Sequence, residues 1–133
     1  MTWAQFVMAL TLWREARGSS HAARIGIASV IRNRTTPKKD VVAVCTQPWQ
    51  FSSMTAPGDP NLIHWPATGD PQMQDCLSIA AQTLGPDTTA GATFYFTTPL
   101  TEPPKAWGNV VGTVTIDGVH FYKSEPNYTE AAT

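Results

Sequence analysis

The sequence predicts an α+β fold: helices in the N-terminal part, then a small antiparallel sheet or hairpin near the C-terminus. Three observations carry this expectation. Apolar residues recur at helical spacing through the first third of the chain and again after residue 70. The period then changes to alternation in "ATFYFTT". Finally, "TVTIDGVHFY" places Asp117-Gly118 between two apolar runs, a two-residue hairpin signal. Helical runs followed by strand runs mark the α+β class.

Taken in order, Trp3, Phe6, Val7 and Leu10 form one helical stripe, and Met8, Thr11, Leu12 and Glu15 the adjacent one. A helix apolar on both sides is a buried central helix. Gly18 is its stop, and Ser19 or Ser20 caps the next helix, where Ala23, Ile27, Val30 and Ile31 repeat the spacing. That pattern ends in the basic, Pro-containing "RNRTTPKK", after which Asp40 caps a short helix through "VVAVCT". "QPWQFSSMTAPGDPNLIHWPATGDP" is long for a loop in a compact domain and reads as the wall of a groove. Asp70, Pro71, the run Met73, Cys76, Leu77, Ala80 and Leu84, and Gly85 supply cap, first-turn proline, apolar face and stop. In the following strand Ala92, Phe94 and Phe96 share one face, and Thr93, Tyr95 and Thr97 the other. No repeat or linker divides the chain, so residues 1–133 are read as one domain.

A chain of 133 residues hides roughly two-thirds of its extended surface on folding. Only 14% of it is charged, and the net charge of −1 offers no broad basic surface for nucleic acid or anionic lipid. No apolar run reaches the ~18 residues of a membrane span. Residues 1–13 lack charged side chains but also a basic n-region, and their periodicity continues into Arg14 and Glu15, so no signal peptide is expected. Cys45 and Cys76 allow one disulfide at most; their spacing matches no zinc or redox motif, and two buried free thiols are expected.

Glu15 is the only carboxylate in the first 39 residues, and it sits on the apolar helix between Arg14 and Arg17. Covering that helix face would favour a protonated carboxyl able to donate, whereas the two arginines would favour the carboxylate if they turned towards it. The competing reading is an exposed Glu paired with a neighbouring Arg. His21, His64 and His120 match no ligand motif, and neither HExxH, CxxC nor GxSxG occurs, so no metal, cofactor or serine nucleophile is expected. Trp49, Phe51, Trp65 and Trp107 lie in loop segments; exposed there they would stack on pyranose rings, and otherwise they pack the core. Asp40 and Asp70 are read as caps and Asp117 as a turn residue, leaving no evident second carboxylate beside Glu15. Glycoside hydrolysis normally uses two.

"EARGSSHAARIGIASVIRNR" resembles the opening of the SleB-like cell-wall hydrolase family, roughly E-A-R-G-E, a spacer, then A-V-A-x-V-I-x-N-R. "VCTQPWQFSS", "AGATFYF" and "VGTVTIDGVHFY" match further family segments in order, so the likeness spans about residues 8 to 122. The resemblance implies a lysozyme-like fold and cleavage of the β-1,4 bond between N-acetylmuramic acid and N-acetylglucosamine in peptidoglycan. It implies Glu15 as catalytic acid and places Gln50, Phe51, Ser52 and Tyr95 in matching segments; with Trp107 and Ser19 they are the expected substrate-binding residues. Arg17 and Asn33 also match, with helix-end hydrogen bonding the favoured role.

One departure matters. Ser19 stands where the family has the last acid of E-A-R-G-E, and a serine cannot act as a second carboxylate. A single-acid route remains, in which the muramic C6 hydroxyl attacks its own anomeric carbon, because a tethered nucleophile has high effective molarity. Lytic transglycosylation giving 1,6-anhydro ends is therefore expected first. A hydrolytic muramidase using a water held by Ser19, Ser52 or a further acid comes second; a zinc-dependent amidase or peptidase and a non-catalytic glycan-binding module are further alternatives. The expected partner is the peptidoglycan glycan strand, engaged by a monomer. The enzyme is expected to be made in the cytoplasm and to act on the cell wall, as a phage endolysin or a bacterial catalytic domain would.

Overall fold

Helix α1 (Trp3–Ala16) is the axis on which the other helices pack. The computed structural model of the chain describes residues 1–48, 50–82, 85–97 and 100–125. Thr2 and Gln5 close a reciprocal capping box at the start of α1, and residues 7–14 are buried without a break, as a central helix requires. Trp3 departs from its expected stripe: it is 68% exposed and stacks on Phe6 at the surface.

Around α1 lie α2 (His21–Arg34), α3 (Val41–Thr46), α4 (Ser52–Thr55) and α5 (Pro71–Ala81). Side chains cap three of them as the local sequence predicts. Ser20 rather than Ser19 accepts from the Ala23 amide, Asp40 from Ala43, and Asp70 from Met73, with Pro71 in the first turn. Ala23, Ile27, Val30 and Ile31 are buried. Leu84, expected on the face of α5, lies outside the described residues. The long proline-rich stretch is ordered by α4 and a 3₁₀ turn (Pro60–Ile63) that pack on each other.

The end of α1 is pinned from two sides. Buried Arg24 of α2 donates through Nε to the Ala16 carbonyl (3.0 Å) and through Nη2 to that of Arg17 (2.7 Å). Its Nη1 reaches Asp75 of α5 (2.9 Å). A cation there satisfies orphan carbonyls and complements the helix dipole. The last turn of α1, which carries Glu15, is thereby tied to α2 and α5.

The sheet contains β1 (Phe94–Phe96), β2 (Val110–Ile116) and β3 (Val119–Ser124), antiparallel in the order β1-β3-β2. Asp117 and Gly118 turn the hairpin with φ of 46° and 83°, as expected for two positive-φ positions. Tyr95 pairs with Phe121, and Phe96 with His120. The sheet meets α2 at Gly26, where an added Cβ would lie 2.6 Å from the Phe121 ring, so only a hydrogen fits. Cys45 and Cys76 are buried free thiols, each pushed up to about 11 by burial.

Candidate active site

Glu15 stands half-buried in the last turn of α1, and neither neighbouring arginine takes it. Arg14 is drawn the other way, donating to the His64 carbonyl (3.0 Å) and the Ser53 carbonyl (3.3 Å), with its guanidinium over the Trp65 ring. Arg17 lies over Trp13 and donates to Asn61 (2.8 Å). The carboxyl is instead held by two hydroxyls. Tyr95 of β1 donates to Oε1 at 2.9 Å, and Ser53 of α4 donates to Oε2. Burial, reinforced by Glu15 as neighbour and acceptor, raises the Tyr95 phenol well above its ordinary value, with the Arg34 cation opposing. Tyr95 therefore remains a protonated donor.

Beside Glu15 opens a cleft of about 670 Å³. Glu15 and Arg34 line it from the helices and residues 94–97 from β1 and its exit, while Gln50 and the pair Ala106 and Trp107 bring in the two flanking loops. Trp107, half-buried on a 3₁₀ turn (Lys105–Trp107), stacks on Phe94 with centroids 4.7 Å apart and leans on Phe96. An aromatic bank facing a carboxyl suits a sugar, whose ring offers an apolar face and whose substituents are polar.

The structure thus brings Glu15, Tyr95, Gln50 and Trp107 together and sets the other expected residues apart. Phe51 is corrected: it is 1% exposed, its ring facing the Arg34 guanidinium at 5.4 Å, so it packs the core under the site and offers no face to a sugar. Ser52 is corrected too, since its hydroxyl donates to Asp59 (2.8 Å), away from Glu15. Ser19 does not line the cleft; its amide donates to the Ala16 carbonyl as the chain leaves α1. Trp65 is 62% exposed over Arg14 but lines no part of the cleft, and Trp49 lies outside the described residues. Asn33 donates to Asp87 and the Ala92 carbonyl, a structural role, as does Arg17 on Asn61.

Two site residues escaped the sequence reading. Ser53 adjoins Ser52, and one helical step of about 100° decides which hydroxyl faces α1; no local signal separates them. Arg34 reads as one of several basic residues at a helix end. The histidines are dispersed: His21 pairs with Asp75 and His120 with Thr115. Among the described residues no cluster of three or more His, Cys, Asp or Glu could hold a metal ion. No described helix is long and apolar enough to cross a membrane.

The family model described as Cell Wall Hydrolase matches residues 18–122. Among solved structures, the catalytic domain of the Bacillus cereus SleB protein is similar, with a TM-score of 0.64 and 23% identity. The likeness covers 90% of this chain and 89% of that one, and it shows the fold: mainly helical, with a small antiparallel sheet near the C-terminus. None of the curated proteins matches the chain. Glu15 precedes the stretch that the family model matches.

Proposed function

The chain belongs to the SleB-like cell wall hydrolase family, and from that premise we propose that it is a peptidoglycan glycosidase working with a single carboxyl group. Glu15 is the acid and base, and the bond cleaved is the β-1,4 link from N-acetylmuramic acid to N-acetylglucosamine. One observation carries the reading. Among the described residues Glu15 is the only acid lining the cleft, it has no salt-bridge partner, and both its oxygens are oriented by hydroxyl donors.

The carboxyl proton passes to the glycosidic oxygen as the bond to the muramic C1 breaks, releasing the glucosamine 4-hydroxyl. Negative charge grows on Glu15 during this step, and the hydroxyls of Tyr95 and Ser53 bind that charge more strongly than the neutral acid. The muramic C6 oxygen then bonds to C1, and its proton returns to Glu15, leaving a 1,6-anhydro end and the enzyme as it began. With the nucleophile inside the sugar, no second carboxylate is needed to activate water. Trp107 and Phe94 offer the stacking surface, and Gln50 a hydrogen-bonding side chain at the rim.

The alternative route is hydrolysis, in which Glu15, once it has given up its proton, activates a water to attack the muramic C1 in place of the C6 hydroxyl. Digestion of purified sacculi with wild type and Glu15→Gln, followed by mass analysis, decides between the routes. Anhydro-muropeptides are expected from the wild type and none from the variant. Reducing muramic ends would establish hydrolysis instead, and an active variant would remove Glu15 from the chemistry.

A further inference from the structure

We propose that Arg34 is a specificity residue of this cleft, its guanidinium receiving an acyl oxygen of the lactyl group that distinguishes muramic acid from glucosamine. The inference rests on the glycosidase reading above. Arg34 ends α2 and is firmly placed: Nε donates to the Thr93 carbonyl at 2.7 Å, and the Phe51 and Phe94 rings lie 5.4 and 5.8 Å from the guanidinium carbon. Its other two nitrogens are different. Neither donates to an acceptor among the described residues, and Nη1 is buried without any partner.

Nη1 lies too deep for an incoming group to reach, but Nη2 is not buried; an unpaired guanidinium nitrogen on the wall of a substrate cleft points to an acceptor that arrives with the substrate. Arg34 is also the only cation in the cleft lining among the described residues, and it shares that lining with Glu15. A sugar placed with its glycosidic oxygen at Glu15 carries its ring substituents within a few ångströms, on the order of one residue's reach. N-acetyl groups occur on both wall sugars and cannot distinguish them. Only muramic acid bears the O3 lactyl group, whose acyl oxygen is an amide carbonyl under a peptide stem and a carboxylate where the stem has been removed. A guanidinium N–H donates to either, and more strongly to a carboxylate.

The experiment measures kcat/KM of wild type and Arg34→Gln on three substrates: amidase-stripped glycan strands, stem-bearing strands and chitin oligosaccharides, which lack the lactyl group. One charged hydrogen bond changes specificity by roughly 10- to 100-fold. The wild type is expected to favour both muramyl substrates over chitin by about that factor. It should prefer stripped over stem-bearing strands, by a margin that shrinks in high salt. Arg34→Gln is expected to lose these preferences. Equal wild-type turnover of chitin and muramyl strands overturns the proposal while leaving the glycosidase reading intact, as does a variant that keeps the preferences. No turnover of any substrate sinks both. Because Arg34 also anchors Thr93, circular dichroism checks the variant; should it not fold, the wild-type comparison and its salt dependence decide alone.

Discussion

Tyr95→Phe removes one oxygen atom and tests whether the Glu15 carboxyl is held for catalysis. The phenol donates to Glu15 Oε1 at 2.9 Å from a partly buried position, while its ring packs at 6.3 Å from that of Phe121. The substitution keeps the ring and deletes the donor. A hydrogen bond to a charged group is worth about 1.5–3 kcal/mol, and each ~1.4 kcal/mol is tenfold in rate. Since the bond strengthens as Glu15 yields its proton, the loss falls on the transition state, and Ser53 still holds the other oxygen. We therefore expect kcat to fall about 10- to 100-fold, with KM changed less than about threefold. Turbidity loss of purified sacculi supplies the rates, and a thermal melt supplies the stability. A variant with near-wild-type kcat would refute the reasoning, whatever its melting temperature.

Ser53→Ala should lower kcat about tenfold by releasing Glu15 Oε2, whereas Ser52→Ala, whose hydroxyl serves Asp59, should leave the rate within about twofold; equal effects in the same turbidity assay would contradict the assignment. Gly26→Ala gains about 1 kcal/mol of helix propensity, yet it drives a Cβ into the Phe121 ring, so a net loss of about 1–3 kcal/mol in urea unfolding is expected, and a rise in stability would contradict the close approach. Burial pushes both thiols up to about 11, so above pH ~9 the unfolded chain releases protons that the folded chain keeps until about 11. Stability should thus fall as pH rises through that window, by on the order of 2 kcal/mol per thiol, and Cys45→Ala with Cys76→Ala should flatten the slope; an unchanged slope counts against the burial argument.

Much of the backbone was legible because its signals are local. Ser20, Asp40 and Asp70 cap helices with side chains that reach only three residues ahead. Asp117-Gly118 turns the hairpin because those two positions tolerate positive φ, and the apolar spacing of residues 7–12 marks a helix buried all round. The candidate acid was legible for the same reason, as a carboxyl on an otherwise apolar helix.

What surrounds that acid was decided elsewhere. Arg14 leaves Glu15 unpaired because carbonyls 39 and 50 residues away, at Ser53 and His64, capture it. The hydroxyls that hold the carboxyl come from 38 and 80 residues away, and the choice of Ser53 over Ser52 follows from how α4 rotates as it packs. Phe51, drawn from a loop-like stretch, is sealed beneath Arg34. Residue order alone determined which segments coil, pair and turn, since those preferences are settled within a few bonds. Only tertiary packing decided which polar atoms meet at the carboxyl, because partner choice depends on atoms that the chain brings together from far apart.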